Sequence, residues 1–359
     1  MTTPPKVTVL IPVYNRVQYI GAAIESILAQ SFSNFELLLI DDGSTDDSVT
    51  CIQSYTDPRI RLLRNGRNLG IPRTRNLGVT SARGEYIAML DSDDLAVPRR
   101  LERQVTFLDR HRDYALVGSW ATVMREKPHR SPHKIGILPV SADDVRARFL
   151  FHCSLTQSSV TGRTAILQEQ RYREDFEVCS DFELWVRIVK HHKVANLPEF
   201  LVQRRLHSAR VTSTRGQLVR QRKLAIFRTQ LTELGVPFTE SDLVRHFFLL
   251  RMAHNPVAVT EEYLDWADTW LRTLQETNGS SARYPQDIFT QVLSEMWFAV
   301  CWQAARRIGR RAWWRFWRAP LRHYLWASLS KYLWLWTTQR FPHSERGYLP
   351  PALPLSETK

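Results

Sequence analysis

Two acids separated by one residue can serve two partners at once. In the run Asp91-Ser92-Asp93-Asp94, one carboxylate can take ribose hydroxyls while the other takes a hard divalent cation, which in turn bridges phosphates. That is the chemistry of a nucleoside diphosphate site. Two further turns follow apolar runs in the same manner, Pro12-Val13-Tyr14-Asn15-Arg16 and Asp41-Asp42-Gly43-Ser44-Thr45-Asp46. Singly, each has an ordinary reading: Asp and Gly favour turns, and 91–94 alone is a solvated loop or a helix cap. In order along one chain, they supply acidic and turn-forming groups three times over. Neither GxGxxG nor GxxxxGK[ST] occurs, which counts against dehydrogenase and P-loop kinase chemistry, where a glycine loop grips the phosphates.

These groups need elements to position them. Short apolar runs at 7–11, 36–41, 60–63 and 86–90 read as strands, and helical patterns lie between them at 19–30, 46–55 and 72–80. In the first helix Ile20, Ala23, Ile24, Ile27 and Leu28 share one face. Ser44 or Thr45 is the expected cap of the second. This alternation predicts a parallel sheet covered by helices, an α/β fold whose ligands bind at the C-terminal edge of the strands. A helix at 98–111, a strand at 115–123, mixed structure over 141–207 with a helix at 180–189, and helices at 217–234, 240–254, 260–275 and 285–307 complete the pattern. We expect a catalytic domain over 1–215, a separate helical region over 216–300, a Trp/Arg-rich segment over 301–342 and a flexible tail over 343–359.

The motifs, taken in sequence, resemble glycosyltransferase family 2, an inverting family of GT-A fold. VTVLIPVYNR at 7–16, SILAQSFSNFELLLIDDGSTD at 26–46, NLGIPRTRNLGV at 68–79 and GEYIAMLDSDD at 84–94 match the family's pieces in order over about ninety residues. The resemblance implies that Pro12, Val13, Tyr14, Asn15 and Asp42 surround the nucleotide base, with Asp91 and Ser92 at the ribose and Asp93 on the metal. Arg73 and Arg75 would meet the donor phosphates. Farther on, CSDFELWVR at 179–187 is similar to the family's Glu-Asp-x-Asp-Leu-Trp-x-Arg segment, with Ser180 and Glu183 as departures. There the resemblance makes Asp181 the catalytic base and Trp185 a wall of the acceptor pocket. QRRLH at 203–207 resembles the later Tyr-Arg-x-His motif, with Arg204 in place of the Tyr, and so makes His207 a further metal ligand. Activity would need a divalent cation, Mn²⁺ or Mg²⁺. The donor would be a nucleotide sugar, with a UDP-sugar favoured, and the acceptor a glycan or a lipid-linked saccharide in cell-surface polysaccharide or glycolipid synthesis.

Composition narrows the alternatives. The 359 residues, 43% hydrophobic and 24% charged, are those of an ordinary globular chain long enough for two packed units. Four scattered cysteines form no CxxC or Cys/His cluster, which argues against structural zinc and for a reducing compartment. The start of the chain lacks the pattern of a signal peptide, and no apolar run reaches the length of a spanning helix. The expected location is therefore cytoplasmic, peripheral on the membrane. The net charge of +13 is concentrated in 301–342, where tryptophans interleave with arginines and no Asp or Glu occurs. That mixture suits a peripheral membrane contact or packing on the catalytic domain; nucleic acid binding ranks last, for want of any recognised motif. Two other functions stay open, an inactive membrane-associated scaffold or glycan-binding relative and a sugar nucleotidyltransferase.

Overall fold

Val7–Val13 (β1) is buried at every position but Pro12, so it does not alternate as a half-exposed strand would and needs cover on both faces. The computed structural model describes residues 4–125, 135–136, 138–206, 215–250 and 259–324. After β1 come α1 (Val17–Leu28), β2 (Phe35–Asp41), α2 (Ser48–Gln53), β3 (Ile60–Arg64), α3 (Ile71–Ser81) and β4 (Tyr86–Met89). Helix α1 buries Ile20, Ala23, Ile24 and Ile27, the face that its spacing predicts. Helix α2 is shorter than expected: its cap is Asp47, without a side-chain hydrogen bond, because Ser44 and Thr45 are engaged with Asn15 instead.

The chain continues through β5 (Leu95–Ala96), α4 (Arg100–Arg110), β6 (Tyr114–Arg125), β7 (Ile135–Gly136), α5 (Ala142–Arg148), a 3-10 turn at Gln157–Ser159, β8 (Thr161–Arg163), α6 (Thr164–Gln170), α7 (Ser180–His191) and β9 (Lys193–Leu206). The sheet runs β3-β2-β1-β4-β8-β6-β9-β5, with β7 beside β6. Strands β3, β2, β1 and β4 are parallel, and β8 joins β4 antiparallel. Register aligns Val13 with Asp41 and Leu10 with Met89. The turns that follow β1, β2 and β4 therefore open on one edge, and β1 sits where the strand order reverses, the place such sheets hold ligands.

The helical half comprises α8 (Gly216–Leu234), α9 (Glu240–Phe248), α10 (Glu261–Ser281), α11 (Gln286–Ile308) and α12 (Arg310–Arg318). The helix expected over 240–254 is described only to Phe248; 251–258 and the tail over 343–359 lie outside the described residues. One face of the sheet, with Val9, Ile11, Leu37 and Leu39, packs against α1 and α4. The other face begins a single apolar core that runs from Leu10, Leu38 and Ile87 through Phe149 and Trp185 to Phe227, Leu271, Trp297 and Phe316. Rather than standing apart, the helical half is thus continuous with the sheet. Arg148 of α5 meets Glu295 of α11 at 2.7 Å, with Glu295 1% exposed, and breaking a pair so placed would strand a buried charge.

Within that core lies His246, 2% exposed. Its Nε2–H donates to the Leu150 carbonyl at 2.8 Å, and its Nδ1 accepts from the Trp270 indole at 3.0 Å. Both nitrogens are satisfied only in the neutral ring, and burial pushes the imidazole down to about 4 from its ordinary 6.5. Below 6.5 the unfolded chain takes up a proton that the native ring refuses until about 4. The stability contributed by the neutral ring is complete above 6.5 and is lost as the pH falls to 4, by about 3 kcal/mol. Urea denaturation at stepped pH should show this loss in the wild type. His246→Gln should lack that component while starting from lower stability at neutral pH.

Candidate active site

At the end of β1 the chain turns through Asn15, whose φ of 51° is left-handed. Its N–H donates to Ser44 Oγ at 3.0 Å, and its Oδ1 accepts from the Thr45 N–H at 2.8 Å. These bonds tie the turn after β1 to the turn after β2. Gly43 in that second turn has φ 74°, and a Cβ there would come within 2.7 Å of the Arg67 backbone, so glycine is required. Tyr14 is 41% exposed and Pro12 half-buried. Val13, expected at the base, is 1% exposed, and its carbonyl accepts from the Asp42 N–H; it packs beneath the site.

Asp42 is buried, yet its carboxylate is busy. Oδ1 accepts from the Leu69 N–H at 2.9 Å and from the Asn65 amide at 2.8 Å, and Oδ2 accepts from the Gly70 N–H at 3.0 Å. The side chain thereby fixes the loop that starts α3. From α3, Arg75 reaches Asp91 at 2.9 Å and lies over the Tyr172 ring at 5.4 Å. Burial works against the Arg75 charge, but Asp91, Tyr172 and Asp181 outweigh it and raise its pKa. Asn76 exchanges two hydrogen bonds with the Tyr172 backbone, both 2.8 Å. Arg73 turns away to pair with Glu174 at 2.8 Å, both exposed.

The end of β4 gathers carboxylates. One oxygen each from Asp91, Asp93 and Asp94 lie within 4.8 Å of one another. Asp94 is pushed up to about 7, first by burial and then by the charges of Asp91 and Asp93, against hydrogen bonds from the Ser158 hydroxyl and the Arg205 N–H. Those two donors sit at 2.5 and 2.9 Å. Burial and the two neighbouring charges both disfavour the ionised form, and oxygen ligands so grouped fit a hard divalent cation, which would offset that repulsion. Ser92, expected at the ribose, is only 6% exposed.

Asp181 lies in the first turn of α7, half-buried. Its charge acts on Arg75, Tyr172 and Cys153, which brings it to the same basin as Asp91. Among the described residues its carboxylate has no hydrogen-bond or ion-pair partner. Two positions along the helix, Glu183 instead clamps Arg187 at 2.8 Å. Trp185 does not wall a pocket: it is 0% exposed and stands edge-on behind Tyr172 at 6.3 Å. A fully buried ring on the inner face of α7 can act only through what it supports. His207 lies outside the described residues.

Several participants carry no signal in the sequence. Ser158 and Tyr172 belong to no motif, and nothing in the runs that contain Asp94 and Arg205 sets those two residues apart from their neighbours. Arg205 also donates from its guanidinium to the Asp93 carbonyl at 3.1 Å. A strand pairing, β5 with β9, is what delivers Arg205 to this corner.

The family-wide description of Glycosyl transferase family 2 matches residues 8–168. An uncharacterized glycosyltransferase of Haemophilus influenzae is 31% identical over 223 residues, 59% of this chain and 69% of the relative. The uncharacterized glycosyltransferase MJ1057 of Methanocaldococcus jannaschii is 31% identical over 215 residues, 56% of this chain and 71% of the relative. Among solved structures, S. aureus TarS 1–349 superposes with a TM-score of 0.54 at 17% identity, over 85% of this chain and 92% of that one; it has also been solved with UDP and with UDP-GlcNAc. That likeness bears on the fold, which is GT-A-like with a helical C-terminal region. Matched motifs and relatives that share most of their own length with it together establish that this chain belongs to glycosyltransferase family 2.

Proposed function

We propose that the protein transfers a sugar from a nucleoside diphosphate sugar to a hydroxyl of a glycan or lipid-linked acceptor, with inversion at the anomeric carbon. The observation that carries this reading is the placing of Asp181, a carboxylate without a described partner, in the basin of the Arg75–Asp91 pair. A general base needs free lone pairs within reach of the nucleophile's proton. The acceptor oxygen attacks the anomeric carbon as the bond from that carbon to the phosphate oxygen breaks. Asp181 takes the acceptor proton, and the electron pair departs with the nucleoside diphosphate. One displacement through an oxocarbenium-like transition state inverts the configuration.

In this reading Asp91 takes ribose hydroxyls, and Arg75 adds fixed positive charge beside the phosphates. Pro12, Tyr14, Asn15 and Asp42 frame the base. A divalent cation, Mn²⁺ or Mg²⁺, held by Asp93 and Asp94 with Asp91 beside them, would supply the charge that a departing diphosphate needs. UDP is the carrier we favour, and the UDP complexes of TarS are consistent with it. The acceptor class rests on the family resemblance alone.

Because a ligand that binds only the native state raises the melting temperature, UDP with Mn²⁺ should stabilise the wild type by several degrees, and GDP less. Asp93→Ala should abolish the metal-dependent part. If no nucleotide shifts the wild type, a non-catalytic scaffold is the better reading. A second test separates chemistry from binding. Asp181→Asn should retain the UDP shift while slowing UDP release from a UDP-sugar by roughly 10²–10⁴-fold, the span of a general base. An unaltered rate would remove Asp181 from the mechanism.

A further inference from the structure

Helices α11 and α12 form a hairpin that turns at Gly309, where φ is 92°. One side of α12 is spent on packing. Ala312 and Phe316 are fully buried, Trp313 joins Phe298 and Trp302 in an aromatic cluster at 5.3 and 5.4 Å, and Arg315 pairs with Glu261 at 2.8 Å and with Asp265. The opposite side has no such use. Trp314, 60% exposed, is the most exposed large hydrophobic residue among those described. Helical spacing sets it between Arg310 and Arg311 on one turn and Arg318 on the next, all exposed. None of these three arginines is ion-paired with a described carboxylate. At the end of α11, Arg307 is exposed, and Arg306 lies over the ring of Trp302, itself 47% exposed.

We propose that this face docks on an anionic phospholipid bilayer. Tryptophan settles at the level of the headgroups, where its apolar ring and N–H are both accommodated, and guanidinium groups meet lipid phosphates. Trp314 and its arginines bring no acid of their own, since 301–342 has none, and the bordering acids Glu261 and Asp265 are taken up by Arg315, which leaves the face net positive, as an anionic surface requires. The sequence beyond the described residues continues the character, with Trp326, Trp334 and Trp336 and only Lys331 and Arg340 charged between 325 and 341. No helix among the described residues is long and apolar enough to cross a membrane; the contact proposed for the α12 face is one in the plane of the surface. This inference stands apart from the proposed reaction: it concerns where the protein sits, whatever it transfers.

The test is flotation of the full-length protein with phosphatidylcholine vesicles, with and without a phosphatidylglycerol fraction. The wild type should float with the anionic vesicles alone, and added salt should weaken the association. Arg310→Glu with Arg311→Glu should lower partitioning by about tenfold or more. Trp314→Ala should lower it too, while both variants keep the wild-type melting temperature. Arg310→Gln with Arg311→Gln gives a milder version if charge reversal harms folding. The proposal fails if the wild type ignores anionic vesicles, or if both kinds of variant float as the wild type does. It also fails if a double-stranded oligonucleotide competes the protein off the vesicles at lower phosphate concentration than lipid, or if Trp314→Ala converts a dimer in solution to a monomer.

Discussion

Like charges forced together must be compensated, and the end of β4 concentrates three of them. Asp91, Asp93 and Asp94 lie close enough to repel, and each neighbouring element answers that repulsion. Helix α3 sends Arg75 to Asp91. The 3-10 turn sends the Ser158 hydroxyl to Asp94, and β9 sends the Arg205 backbone and guanidinium. Beneath them Arg100, wholly buried, donates to the Met89 and Val160 carbonyls and holds a positive charge below the acids. Asp94, pushed up to about 7 by burial and by the charges of Asp91 and Asp93, is the acid these partners compensate least, and a cation bound between the three carboxylates would complete the compensation.

The candidate base is connected to the nucleotide side through a short mechanical series. Asp42 grips the loop that begins α3; α3 carries Arg75 and Asn76; Asn76 holds the Tyr172 backbone in two directions. Tyr172 rests edge-on against Trp185, and Trp185 lies one turn along α7 from Asp181. The close seating of α3 on β1 depends on Gly78, since a Cβ there would collide with Leu10. Side chains packed behind the site, Asn76, Tyr172 and Trp185, thus fix the distance between its two halves.

The parallel half of the sheet was legible because its information is local. Uninterrupted apolar runs end in turn residues, and the register that aligns Val13 with Asp41 follows from packing those runs. The acids at 91–94 were legible for the same reason. What was not legible depends on distant partners: Ser158 reaches Asp94 across 64 positions, and Tyr172 meets Asn76 across 96. Trp185 was misplaced because an amphipathic helix announces that it has an inner face, not which cavity or core that face meets. The helical half was read as separate since its pattern changes at 216, yet apolar periodicity says nothing of which neighbour shares the core.

Asp42 carries one more implication. A carboxylate offers about four lone-pair directions. Oδ1 already accepts two hydrogen bonds and Oδ2 one, so a single acceptor direction is left. Guanine presents two parallel donors to a carboxylate and asks for one from each oxygen; uracil presents a single imide N–H. On the proposed placing of the base beside Asp42, the one direction left would suit the single imide N–H of a pyrimidine carrier better than the paired donors of guanine, and the backbone of the Leu69–Gly70 loop would set that preference.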